Sequence, residues 1–325
     1  MNLKSRWKEF KVSMAPRQRE VKFTLARIKK SPLSLVGASI IIFFVILAIL
    51  APVLAPPWPN RDPFIIPKKV WYPVEPQLPS PEHLFGTEQG QYDIWYGCIW
   101  GTITAFRVGA IVVGISLIIG ITIGTLAGYY GGIFDELMMR LTDIFLAFPG
   151  LVLCIAVVIA VPNNFTILEI GSLKLTLTLS QLDKLLMALA LVGWPSYCRV
   201  MRGEVMRIKA EDYIQASKAV GCSDLRIMAR HILPNSIYPI LIIASLDIGS
   251  VVLLAAALSF LGIGSPPGYA DWGQLINLSR GWIEGSLKYW YTYTIPGIFI
   301  FTFVLGWNLL GDAFRDILDP MLRRR

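Results

Sequence analysis

The run from Leu33 to Leu54 constrains this chain most, because it holds no charged residue. As a helix it would be about 33 Å long, enough to cross the ~30 Å hydrocarbon core of a bilayer once. The 30 residues before it carry ten Lys and Arg. That arm is too long for the basic start of a secretory signal, and the apolar run is too long for its core, so the reading is a retained first span. Further apolar runs follow at about 106–129, 137–161, 185–200, 236–262 and 291–310. Together they predict an all-α membrane protein of six transmembrane helices. Composition agrees, with 54% of residues hydrophobic.

Six spans put both ends of the chain on one side of the membrane. Of the 30 Lys and Arg, 22 fall in the arm, in the stretch from Arg199 to Arg230, at Arg140 and in the tail. Eight fall in the other connections. The positive-inside rule therefore predicts a cell-membrane protein with both termini cytoplasmic. The predicted order is a basic cytoplasmic arm (1–31), a first transmembrane helix (32–54), and an extracytoplasmic loop with an interfacial helix (55–105). A transmembrane core (106–311) and a cytoplasmic tail (312–325) follow. The arm reads as a topology anchor on anionic lipid or as a contact for a cytoplasmic partner. With the net charge of +8 concentrated beside apolar spans, no nucleic-acid partner is expected.

Within the core, residues 201–235 form the longest polar, helix-compatible segment between apolar ones. Glu211 to Val220 reads as a short amphipathic helix, with Tyr213, Ala216 and Val220 on one face. Gly221 stops it. Ser223 or Asp224 can cap a second helix, which Pro234 would kink or end. In the outer part of the chain, Trp95, Tyr96 and Trp100 suit a headgroup zone. Residues 162–184 alternate in polarity around Gly171-Ser172, which suggests a two-residue β-hairpin.

Other residues carry two readings each. Gly120, Gly124 and Gly128, four apart, form a small-residue stripe that lets another helix approach, or else line a pore. Asp135, Arg140 and Asp143 need partners at a membrane boundary, either one another or a more distant contact. Asp247 is the one acidic residue of the fifth span; with Ser250 it is a candidate lining of a translocation path, or it is satisfied by an interhelical hydrogen bond. Cys98, Cys154, Cys198 and Cys222 show no CxxC spacing and histidines number two, so no metal site is expected. No phosphate loop GxxxxGK[ST], no HExxH and no supported Ser/His/Asp set occurs, so no catalytic residue is assigned.

The 211–235 stretch resembles the "EAA loop" of permease subunits of ABC importers. Gln215-Ala216-Ser217 stands at the Glu-Ala-Ala position, Gly221 follows, and Leu233-Pro234 closes the pattern. Gln215, Ser217 and His231 depart from it. HLFGTEQGQYD (83–93), AGYYGGIFDELMMRLTDIFLAFP (127–149), LSFLGIGSPPGYADWG (258–273) and NLLGDAFRDILDP (308–320) resemble the C-type permease of the dipeptide/oligopeptide/nickel importers. The resemblance implies a type I ABC importer permease fold with a cytoplasmic coupling loop. It also implies a non-catalytic subunit and four partners: a B-type permease, two ATPases that bind the ATP and Mg, and an extracytoplasmic solute-binding protein. Asp212, Tyr213, Gln215, Ala216, Ser217, Gly221, Arg230, Leu233 and Pro234 would couple it to an ATPase. Peptides or oligosaccharides would be the solute, and nickel relatives exist. The rival reading is an ATP-independent channel or secondary carrier, which would usually show inverted repeats or broken spans with ionisable clusters.

Overall fold

A computed structural model describes residues 32–68, 75–170, 173–283 and 287–318. The basic arm and the extreme tail lie outside the described residues. The first span is helix α1, Pro32–Leu54. The second is α2, Ile94–Tyr130, 37 residues and about 55 Å long. This differs from the expected interfacial helix followed by a separate span. The run contains no proline, and Asp93 caps its start by accepting from the Tyr96 amide at 2.9 Å. Nor do its glycines break it: Gly97 sits against Leu275 and Ile66, and Gly101 against Trp272. The aromatic residues expected at the headgroups are also redirected. Tyr96 and Trp100 are buried, and Trp100 donates to the Ala55 carbonyl at 2.8 Å.

The expected third span is two helices, α3 (Gly132–Ala147) and α4 (Gly150–Ala160), bent by 97°. Pro149 causes the break. The residue before a proline is driven out of the helical region, and Phe148 is extended at φ −90°, ψ 142°. The helix α3 starts at once after α2, turning on Gly131 and Gly132, both at positive φ. Strands β1 (Asn164–Ile170) and β2 (Leu173–Thr178) pair antiparallel and bracket residues 171–172, where the hairpin turn was expected.

Helix α5, Gln181–Lys209, is longer than the span read from the sequence at both ends. Its start carries a full capping box between Ser180 and Asp183. Its end takes in residues 201–209 of the expected coupling loop. Helix α6 (Asp212–Ala219) and the short α7 (Asp224–Ile227) follow. A π-turn, Met228–Ile232, then leads directly into α8, Leu233–Phe260. Pro234 therefore neither ends nor sharply kinks the helix; it sits in the first turn of α8, where its missing N–H costs nothing. The loop after α8 contains α9 (Trp272–Leu278) and α10 (Arg280–Ile283), and α11 (Trp290–Leu318) is the last described helix.

Among the described residues, α1, α2, α7–α8 and α11 are long and apolar enough to cross a membrane, and the bent pair is a fifth candidate. Helix α5 is not in that set because it need not be apolar all round: it packs against α2, α3, α4 and α8, with residues from Leu182 to Ile208 buried. The long loops 55–93 and 261–289 are knitted together over one end of the bundle. Ile66 donates to Gly268 at 2.8 Å, Ala270 to Phe64 at 2.7 Å, and Trp272 to the Cys98 carbonyl at 3.0 Å. Below them, Phe44, Trp272 and Phe303 form an aromatic core between α1, α2, α9 and α11.

Candidate functional site

At the other end of the bundle, α6, α7 and the π-turn rest on an apolar cluster. Ile214 of α6, Ile227 of α7 and Ile232 of the π-turn are fully buried, together with Met201, Val205 and Ile208 of α5. Each buried isoleucine stabilises its placement by roughly 1.5–3 kcal/mol relative to exposure. Asp212, Tyr213, Gln215, Ala216 and Val220 are left exposed. The face that Tyr213, Ala216 and Val220 share therefore points away from the bundle, and Ile214 is the anchor. Arg230 and Pro234 are exposed, and Leu233 is half-buried.

The two short helices meet at Gly221, whose φ is +85°. A Cβ there would touch nothing, so backbone conformation alone demands glycine. Side chains that depart from the resembled pattern make bonds within the segment. Gln215 donates its amide to the Lys209 carbonyl at 2.9 Å, satisfying an end group of α5. A carboxylate at this position has no hydrogen to donate. Ser217 donates back to the Tyr213 carbonyl at 2.8 Å.

Tyr129, at the end of α2, ties these parts together, a role its sequence position does not disclose. Its hydroxyl donates to Asp224 of α7 at 2.5 Å. Its carbonyl accepts from Lys209 of α5 at 2.5 Å. The ammonium groups of Lys209 and Lys218 lie 5.5 and 5.2 Å from its ring centroid, within cation–π range. One buried ring thus touches the helices on both sides of Gly221 and the end of α5.

Beneath it, α2 and α5 meet along the glycine stripe. A Cβ on Gly120 would stand 2.5 Å from that of Tyr197; on Gly124, 2.5 Å from the Cys198 carbonyl; on Gly128, 2.8 Å from the Arg202 carbonyl. Any side chain at these positions would force the backbones apart. Helix α3 is held to the same α5 by Arg202, which makes two bonds to Asp135 at 2.5 and 2.6 Å, and by Arg199 on Asp143. Arg140 takes Glu136 at 2.6 Å. Asp247, half-buried in α8, accepts from the Tyr197 hydroxyl of α5 at 2.6 Å. Ser250 is exposed.

Residues 120–324 match the family described as binding-protein-dependent transport system inner membrane component. Residues 23–67 match the N-terminal TM domain of oligopeptide transport permease C. The dipeptide transport system permease protein DppC of Alkalihalophilus pseudofirmus is 36% identical over 91% of this chain and 88% of its own length. DppC of Haemophilus influenzae is 36% identical over 90% of this chain and 91% of its own. An inward-facing structure of the MetNI methionine ABC transporter aligns with a TM-score of 0.48 at 15% identity, covering 68% of this chain and 96% of that one.

Proposed function

The chain belongs to the family of inner-membrane components of binding-protein-dependent transport systems, and from that premise we propose how it works and what it moves. It is the membrane-spanning permease subunit of an ABC importer and supplies a passage, not a catalytic centre. Peptides are the proposed solute, by likeness to the dipeptide permeases. The proposed partners are a B-type permease completing the passage, two ATPases that hold ATP and Mg, and a solute-binding protein on the opposite face. Both termini and the 211–235 segment lie in the cytoplasm in this reading.

The observation that carries it is the build of that segment. A coupling element must present an exposed contact face and yet be rigidly joined to the spans it moves. Asp212, Tyr213 and Ala216 present such a face, while Ile214, Tyr129 and the Gln215 bond fix the segment to α2 and α5. Ala216 leaves room for a close partner backbone, and Gly221 sets the angle at which α7 and α8 leave. A push on α6 thereby reaches α8 and Asp247.

The test uses the assembled transporter in lipid nanodiscs and proteoliposomes. Ala216→Trp and Gly221→Pro should leave membrane insertion and pairing with the second permease intact. Transport of a bound peptide should fall about tenfold or more, as a loss of roughly 1.4 kcal/mol of coupling predicts. Hydrolysis of ATP should continue without stimulation by the binding protein. Wild-type transport in both variants would remove the coupling assignment.

A further inference from the structure

A groove of about 690 Å³ lies on the outside of the bundle between α1, α2 and α11, independent of the proposed coupling. Its walls are Ile40, Phe43 and Leu47 of α1, Ile298 and Phe299 of α11, and Ile99 of α2. Its volume falls in the range of ligand pockets. The wall is almost wholly apolar, with the hydroxyls of Ser39 and Thr302 at its lower end. The Thr302 hydroxyl on it is already donated to the Ile298 carbonyl at 2.6 Å. Phe43 and Ile298 are more than half exposed, so the groove opens sideways, where bilayer surrounds the bundle.

Position and length say what fills it. Along α1 the lining runs from Ser39 to Leu54, about 22 Å at helical rise. That matches half a bilayer including its interfacial zone, about 20–22 Å. The upper end is closed by Phe85 and Trp95, ring centroids 5.0 Å apart, with the Trp95 indole donating to the Leu54 carbonyl at 3.0 Å. The lower end, at Ser39 and Thr302, stops seven residues short of the start of α1 and near the middle of α11. A single acyl chain fits a groove of this length that ends part-way along α11. Just beyond Leu54, Trp58 and Arg61 are exposed, the guanidinium 5.0 Å from the ring centroid. They put a cation and an interfacial aromatic within seven residues of the end of α1, the residue types that favour a headgroup zone.

We propose that this groove binds the acyl chain of a phospholipid from the leaflet opposite the coupling segment. The assembled transporter would be reconstituted in phosphatidylethanolamine and phosphatidylglycerol, doped with phosphatidylethanolamine carrying a diazirine midway along one chain. After illumination, labelled residues are mapped by mass spectrometry. Phe43, Leu47 and Ile298 should be labelled about fivefold more than Phe301 and Ile118, equally apolar exposed residues outside the groove, as roughly 1 kcal/mol of preference over bulk lipid gives. Leu47→Trp and Ile298→Trp, which fill an open space and so spare the fold, should bring groove labelling down to that of Phe301. Equal labelling of groove and control residues in the wild type would overturn the proposal. So would cross-linking of Phe43 or Ile298 to a partner subunit, which would show protein in the groove.

Discussion

Single residues in this molecule are constrained by distant partners. Tyr129 meets Asp224, 95 positions away, and only the folded chain brings them together. Tyr129→Phe keeps the ring between Lys209 and Lys218 but loses the bond to Asp224, worth about 1 kcal/mol. Hydrogen exchange should then speed up in residues 222–228 while α2 and α5 stay protected. Peptide transported per ATP should fall more than ATP hydrolysis does. Unchanged exchange and coupling would leave Tyr129 with no positioning role. Glu88, in the loop between α1 and α2, is the opposite case. It is fully buried, and the neighbouring Gln89 amide falls short of a full hydrogen bond to it. Burial pushes its carboxyl well above the ordinary carboxylate range. The folded state therefore favours the protonated form. Stability from this group is present below the ordinary value and is lost as pH rises through the window up to the raised one. In Glu88→Gln, thermal unfolding should shift up by a few degrees at neutral pH and lose that pH dependence. A variant that melts lower than the wild type at neutral pH would show Glu88 to be paired by a partner in the assembly.

Helices here are decided by where they touch. The stripe Gly120, Gly124 and Gly128 was legible as a close-approach face, but α5 as its partner was not. Gly124→Val should disrupt the α2–α5 contact and cost at least about 1–3 kcal/mol, because both nearest neighbours are backbone or Cβ atoms. Gly114 on the same helix has nothing within 4 Å of its would-be Cβ. Gly114→Ala should therefore be neutral or slightly stabilising, since alanine favours helix by up to about 1 kcal/mol. Yield and thermal stability of the purified subunit pair check both; equal effects would deny the stripe its packing role. Two prolines show how local rules depend on context. Pro149 breaks its span into α3 and α4, because Phe148 before it must be extended. Pro234 breaks nothing, because the π-turn before it has already shifted the hydrogen-bond register at the start of α8.

At the scale of the whole molecule, two knitted ends enclose a bundle whose one intramembrane acid of the fifth span is shared between α5 and α8. The Tyr197 bond to Asp247 realises the interhelical alternative, yet Asp247 remains half-buried beside the exposed Ser250. If both line the passage, a cysteine at 247 should react with a water-soluble thiol reagent in at least one nucleotide state of the assembled transporter. Protection in every state would assign Asp247 to packing alone. What the sequence determined by itself was whatever is local or compositional. Uncharged runs must become membrane helices, because lipid offers no hydrogen bonds to a backbone. Gly221 must turn the chain, and the Lys and Arg distribution predicts a sidedness. Tertiary structure decided the rest. The boundary expected between residues 105 and 106 is absent, and Gly97 and Gly101 before it are packed against Leu275 and Trp272, far along the chain. Helix α5 tolerates Arg199 and Arg202 because Asp143 and Asp135 of α3 neutralise them. Such contacts join residues far apart in sequence, and no local pattern encodes which of many compatible partners will be brought near.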